Sequence, residues 1–290
     1  MGVEAWTSRP LLTMLALAST SMLMFHLGLM VAPMEYRAAW REPGRMLRAV
    51  FSSVVAVPAI VILVGRSFDL PRAAQVGLVL MAISPGAPFA VRRALSAGGK
   101  ASFALPLQAT IAAVAVASMP LWVAAIDALY ETRAGVEPGR LAEQVLAGQL
   151  VPLAMGLLAR GAFRVHAGRI ERFARLATLT LFLGTVVLLI AQSWAPAVGA
   201  GLDVAMAVAC ATWAAVALGH LMGGPEASTR TALGVACGAR NAGLALFVAS
   251  INHAPPAVHA TLLAYLLVSA AALTPYMVWR RLVRRHATLP

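Results

Sequence analysis

Charge is scarce in this chain. Of its 290 residues only 12% are Asp, Glu, Lys or Arg, while 60% are hydrophobic. A soluble domain carries about a quarter charged residues, so an ordinary soluble fold is excluded. Lysine is reduced to Lys100 alone, and cysteine to Cys210 and Cys237. Both cysteines fall in apolar stretches with no paired Cys/His spacing, which removes a metal site and predicts two buried small hydrophobes. Missing too are a Gly-x-Ser-x-Gly elbow, a His-Glu-x-x-His pair, a phosphate loop and a carboxylate dyad. Without a nucleophile or acid/base pair in reach of one another, an enzyme is not expected, and no cofactor is read. The first apolar stretch lacks a basic lead-in, a short apolar core and a small-residue cleavage site, so no removable signal peptide is expected.

What fills the chain instead is span-length apolar sequence. Nine segments occupy about 11–32, 47–65, 73–98, 101–127, 142–159, 175–195, 202–222, 229–252 and 257–279. Each is close to the roughly 20 residues that cross a bilayer core. The expectation is an all-α membrane protein of nine transmembrane helices, a single transmembrane domain over 1–290. The net charge of +12 suggests nucleic acid only until the basic residues are placed. With the first segment running outside to inside, 17 of the 23 Arg and Lys residues gather on the inner side, in the stretches 37–48, 92–100, 160–175, 230 and 280–285. Arg9, Arg66, Arg72, Arg133 and Arg140 lie outside. That bias sets the N-terminus outside and the C-terminus in the cytoplasm, and the expected location is the inner (plasma) membrane of a bacterium. The partner is the bilayer, and nucleic acid is set aside. Trp6, Trp122, Trp194 and Trp279 read as interface anchors, with Trp213 deeper.

Two segments are broken near their middles, at Ser84-Pro85-Gly86-Ala87-Pro88 and at Gly238-Ala239-Arg240-Asn241-Ala242-Gly243. In lipid, backbone that leaves the helix must find other partners, so such breaks belong inside protein or beside a wet cavity. The order of events after the first segment recurs after the sixth: basic loop, helix, broken helix, long helix. Segments 1–4 (11–127) and 6–9 (175–279) form two similar halves, and the fifth (142–159) between them inverts the second. Inverted repeats with paired broken helices mark the central site of a secondary transporter.

The site residues follow. Arg240 lies mid-span, where an Arg costs about 2.5–3.5 kcal/mol on insertion scales and needs a partner or water. No carboxylate is placed at that depth. One reading has Arg240 donating to carbonyls freed by a helix crossing, as a built-in cation; another has it gripping an anionic substrate through planar bidentate chemistry. The two are compatible. Half-helices starting near Pro88 and Asn241 would aim their positive N-termini at the centre. Candidate substrate-binding residues are therefore Arg240, Asn241, Ser84, Gly86, Gln108 and Arg92, with Thr110 beside them; Arg92 reads first as a positive-inside anchor. His26, the ionisable residue inside the first segment, is the candidate coupling residue for a proton, or else a structural hydrogen-bonding group.

Phe25-His26-Leu27-Gly28-Leu29-Met30 before a basic loop, Ser84-Pro85-Gly86, and Asn241-Ala242-Gly243-Leu244 together resemble the bile acid:sodium symporter family. The second resembles that family's Cys-Pro-Gly-Gly break and the third its Asn-Ser-Gly-Leu. The resemblance implies two broken helices crossing in a core domain (segments 2–4 and 7–9) that moves against a panel (segments 1, 5 and 6). Sodium-using members carry a Glu just before the second break and a Gln directly before its Asn; this chain has Ala236 and Arg240. The family's Ser-Asn pair falls at Ala90 and Val91, and a further Gln near Ser53. An Arg where a cation should sit repels it. The expectation is alternating-access transport of a small organic anion without sodium coupling through those sites. Sodium or proton coupling, and a non-transporting binder or sensor, stand as the alternatives.

Overall fold

A computed structural model describes residues 4–86, 88–130, 137–163, 166–199 and 201–287. Ala87 of the first break, with Arg133 and Arg164 of the charge pattern, lies outside the described residues, as does the side chain of Trp6. The described chain is helical, with no strand among its residues.

α1 (Glu4–Met30) leads into the short α2 (Pro33–Ala39). α3 (Pro43–Phe51), a π-helical turn (Ser52–Ala56) and α4 (Val57–Arg66) form one rod. α5 (Arg72–Ala82) and α6 (Pro88–Ser96) flank the first break, and α7 (Ala101–Tyr130) follows unbroken. α8 (Pro138–Val145), a second π-turn (Leu146–Leu150) and α9 (Val151–Ala162) make another rod, before α10 (Ala167–Gly199) and α11 (Gly201–Met222). α12 (Ala227–Gly238) and α13 (Ala242–Ile251) flank the second break, and α14 (Pro256–Ala287) closes the described chain. Proline opens α2, α3, α6, α8 and α14, where its missing N–H costs nothing and its fixed φ suits a first turn.

Among the described residues eight helical stretches are long and apolar enough to cross a membrane; the third segment read from sequence, 73–98, is instead divided between the two shorter helices α5 and α6. Of the eight, Ala227–Ile251 is the one enclosed by the others: 94% of its apolar window is buried, against 50% or less elsewhere. The second break therefore sits in the middle of the protein, which is where freed backbone groups can find partners.

Close helix approaches fix the surroundings. α1 packs on α9, α10 and α13. Gly28 and Gly156 meet where α1 crosses α9, and a Cβ on either would run into a backbone carbonyl of the other helix, Leu153 or Phe25. At the end rich in arginine, Glu226 accepts from Lys100 Nζ at 2.9 Å and from Arg45 Nη1 at 3.5 Å, tying the starts of α3, α7 and α12 together. Arg280 on α14 donates to Thr231 Oγ1 at 2.8 Å and to the Ala227 carbonyl at 2.9 Å.

Two sequence expectations need correction. Cys237 is buried, but Cys210 is exposed on α11. Trp122 is a half-buried internal donor rather than an interface anchor, its Nε1 bonding the Val54 carbonyl at 2.8 Å. Trp213, read as lying deeper than the interface, stands mid-way along α11 and faces outward, 59% exposed.

Candidate functional site

The two breaks meet. The backbone N–H of Asn241 donates to the Ser84 carbonyl at 2.9 Å, and Asn241 Nδ2 donates to the Gly86 carbonyl at 3.3 Å. Its Oδ1 accepts from the Leu244 N–H at 3.1 Å, capping α13. One asparagine thus caps its own half-helix and pins the other break.

Proline chemistry supplies the acceptors. A carbonyl in an α-helix accepts from the N–H four residues on. For Ser84 that residue is Pro88, which has no N–H, so the Ser84 oxygen is free for Asn241. Ser84 Oγ turns back to the Leu80 carbonyl at 2.6 Å. Gly86 takes φ +81°, in the left-handed region that favours glycine. This turns the chain away after α5 and leaves the Ala82 carbonyl without its helical donor.

The same logic operates on the rod α3–α4. In its π-turn the Val57 N–H donates back to Ser52, and the next donor in line is Pro58. The carbonyls of Ser53 and Val54 are both left over. Trp122 takes the second. Arg240 takes the first: its Nη2 donates to the Ser53 carbonyl at 3.1 Å and also to the Ala82 carbonyl, while Nη1 reaches Ser53 Oγ at 3.4 Å. The guanidinium is 6% exposed, with Tyr265 and Cys237 within electrostatic reach. Nε of Arg240 has no partner among the described residues.

Of the residues read from sequence, Arg240, Asn241, Ser84 and Gly86 come together here. Gln108 is buried on α7, one turn from the Ala112 backbone that Gly86 packs against, and its Oε1 has no partner. Thr110 donates to the Pro106 carbonyl at 2.9 Å, and its oxygen lies 3.3 Å from Tyr36 Oη, whose O–H can donate to it. Ser53 was read as a replaced ligand position, and the structure makes it a partner of Arg240.

Arg92 and His26 belong to a different place. They line a small open-mouthed cleft between α1, α6 and α10, together with Arg175 and Thr178. Both arginines are exposed, and neither forms an ion pair among the described residues. His26 Nε2 and Thr178 Oγ1 are buried without a partner. Arg175 and Thr178 escaped the sequence reading, because nothing in the order of residues tells which helix faces the first break.

Among the described residues no three His, Cys, Asp or Glu side chains gather to hold a metal ion. Curated proteins give no significant match to the chain. The Sodium Bile acid symporter family matches residues 16–198, which is more than half of the chain and takes in the first break but ends before the second. With its apolar, membrane-spanning helices, this protein belongs to the Sodium Bile acid symporter family of membrane transporters.

Proposed function

We propose that the protein is a secondary transporter of a small organic anion that works by alternating access and carries its own cation, the Arg240 guanidinium, in place of sodium at the crossing. One observation carries this reading. Arg240 is buried and donates to the carbonyls of Ser53 and Ala82, and Ser53 stands near the position where sodium-using relatives place a ligand side chain. Carbonyl oxygens are what a hard cation binds. A guanidinium already occupying them excludes a second positive charge.

In this reading α5 and α6 together make a ninth crossing, and the halves on either side of α8–α9 are inverted repeats. The direct bonds from Asn241 to Ser84 and Gly86 support a pair of broken helices that moves as one body. The packing of α1 on both α9 and α10 supports a separate panel. Membrane orientation, N-terminus out and C-terminus in, follows from the arginine bias.

The test is uptake of radiolabelled carboxylates (acetate, isovalerate, phenylacetate and succinate) into proteoliposomes, with an inward sodium gradient or with choline in its place. Equal uptake in the two salts is the expected result. Accumulation driven by sodium would overturn the built-in cation, and an absence of uptake for all four acids in either salt would count against the carrier.

A further inference from the structure

The outward face of α10 carries two arginines above an apolar strip. α10 forms the least enclosed of the eight span-length stretches, with 22% of its apolar window buried against 33% or more in the others. Arg169, Arg172, Phe173, Leu176 and Leu183 are all exposed along it. Counted from Arg169, the others follow after three, four, seven and fourteen residues, a spacing that keeps them on one side of a helix.

The two positive charges stand without a counter-charge. Arg169 and Arg172 make no hydrogen bond or ion pair among the described residues. Like charges one helical turn apart repel each other. Glu171 is adjacent in sequence, but it lies within electrostatic reach of His26 on α1 and pairs with neither arginine. Arg175, the next arginine of the helix, lines the cleft with His26 instead.

The strip below the arginines has the length of a lipid leaflet. Trp194, also exposed, lies 22 residues beyond Arg172, about 33 Å along the helix at its usual rise. A bilayer core is about 30 Å thick, so Arg172 and Trp194 stand at its two boundaries. From Phe173 to Leu183 the helix rises about 15 Å, which is half that thickness. An acyl chain fits this distance, and a phosphate at its head meets two guanidinium groups, whose planar forks suit phosphate oxygens.

We infer that this face binds an anionic phospholipid of the leaflet at the arginine-rich end, its phosphate between Arg169 and Arg172 and an acyl chain along Phe173, Leu176 and Leu183. Charge complementarity selects the anionic class. A zwitterionic headgroup brings its own cation to the arginines and leaves the repulsion between them in place. The inference stands independently of what the protein carries.

The experiment is native mass spectrometry of the purified full-length protein in detergent, titrated with dioleoyl phosphatidylglycerol or dioleoyl phosphatidylcholine. Phosphatidylglycerol should bind about tenfold more tightly or better. The double variant Arg169→Gln/Arg172→Gln should lose that preference and bind both lipids alike. Arg169→Lys/Arg172→Lys, which keeps the charge but not the fork, should retain part of it. Arg41→Gln/Arg48→Gln removes the same charge from exposed positions of the same basic end and should bind as wild type. Phe173→Ala should weaken both lipids. Glycerol 3-phosphate, the headgroup chemistry without chains, should displace neither. Both arginines of the site are exposed and free of described bonds, so their variants should melt with the wild type. Equal binding of the two lipids by the wild type, or an undiminished preference in Arg169→Gln/Arg172→Gln, overturns the site. An equal loss in Arg41→Gln/Arg48→Gln would replace it with a diffuse surface charge, and displacement by glycerol 3-phosphate would replace it with a free-phosphate site.

Discussion

Ser53 presents its carbonyl to Arg240 at 3.1 Å because Pro58, five residues on, has no N–H to offer it. The π-turn moves the Val57 N–H to Ser52, and the proline ends the line of helical donors. A residue outside the guanidinium's own hydrogen bonds thus determines what the guanidinium finds. Replacing Pro58 by Ala returns an N–H that competes for the Ser53 and Val54 oxygens. Pro58→Ala should lower stability by about 1–3 kcal/mol, read as a fall in melting temperature in detergent. A more stable Pro58→Ala protein would show that the freed carbonyls contribute nothing.

Arg240→Gln leaves the Ser53 and Ala82 oxygens short of a donor, and should cost about 1.5–3 kcal/mol. Sodium should not rescue the single variant. Adding Ala236→Glu restores a carboxylate beside the vacated position, and the double variant should gain a melting temperature that rises with sodium concentration. Choline should have no such effect. A double variant blind to sodium would mean that the cation site differs in more than these two residues.

Asn241 joins the two breaks with one side chain. Asn241→Ala removes the cap on α13 and the bond to Gly86, and a lost cap alone costs about 0.5–2 kcal/mol. Asn241→Asp keeps an oxygen for the Leu244 N–H but cannot donate to Gly86. The order of melting temperatures should be wild type, then Asp, then Ala. If Asn241→Ala melts with the wild type, the crossing is held by the backbone bond to Ser84 alone.

Glu226 should give the protein an acid-sensitive contact at its basic end. The hydrogen bond from Lys100 holds its carboxyl below the ordinary glutamate value, with the charges of Lys100 and Arg45 adding to this and partial burial opposing it. A carboxyl depressed in the folded state stabilises the protein above its unfolded value, near pH 4, and that stability is lost as pH falls through the lower folded value. Melting curves of wild type and Glu226→Gln should therefore converge in acid and differ at neutral pH. Parallel curves across the whole range would remove Glu226 from the account.

Gly156 allows α9 to lie against α1 at the Phe25 carbonyl. Gly156→Leu forces the helices apart, a change that costs about 1–3 kcal/mol in a packed interior. Size-exclusion profile and melting temperature in detergent should both deteriorate. Gly161→Leu, where a Cβ meets nothing within 4 Å, is the matched control and should behave as wild type.

Both breaks could be read from the order of residues, since Ser84-Pro85-Gly86 and Arg240-Asn241 interrupt apolar sequence in a way lipid forbids. That Arg240 would use carbonyls was legible as well, from the lack of any carboxylate at its depth. Which carbonyls was not. Pro58 and Pro152 stand inside apolar segments, and a proline there is compatible with a kink, a π-turn or a regular helix until neighbours are known. Cys210 was misplaced for a related reason: α11 is apolar on nearly every side, so its sequence carries no stripe to say which face turns inward. Arg175 and Thr178 were invisible because a cleft between distant helices has no signature along the chain.

Lys100 is the one lysine side chain in the sequence, and it is tied to Glu226 at the junction of α3, α7 and α12. An amine-reactive reagent therefore meets a single side-chain target. While Lys100 Nζ is held on Glu226 it is less free to meet the reagent, so the labelling rate measures how often that junction opens. The chain carries a ready-made chemical reporter of its own motion, with no engineered handle to disturb it.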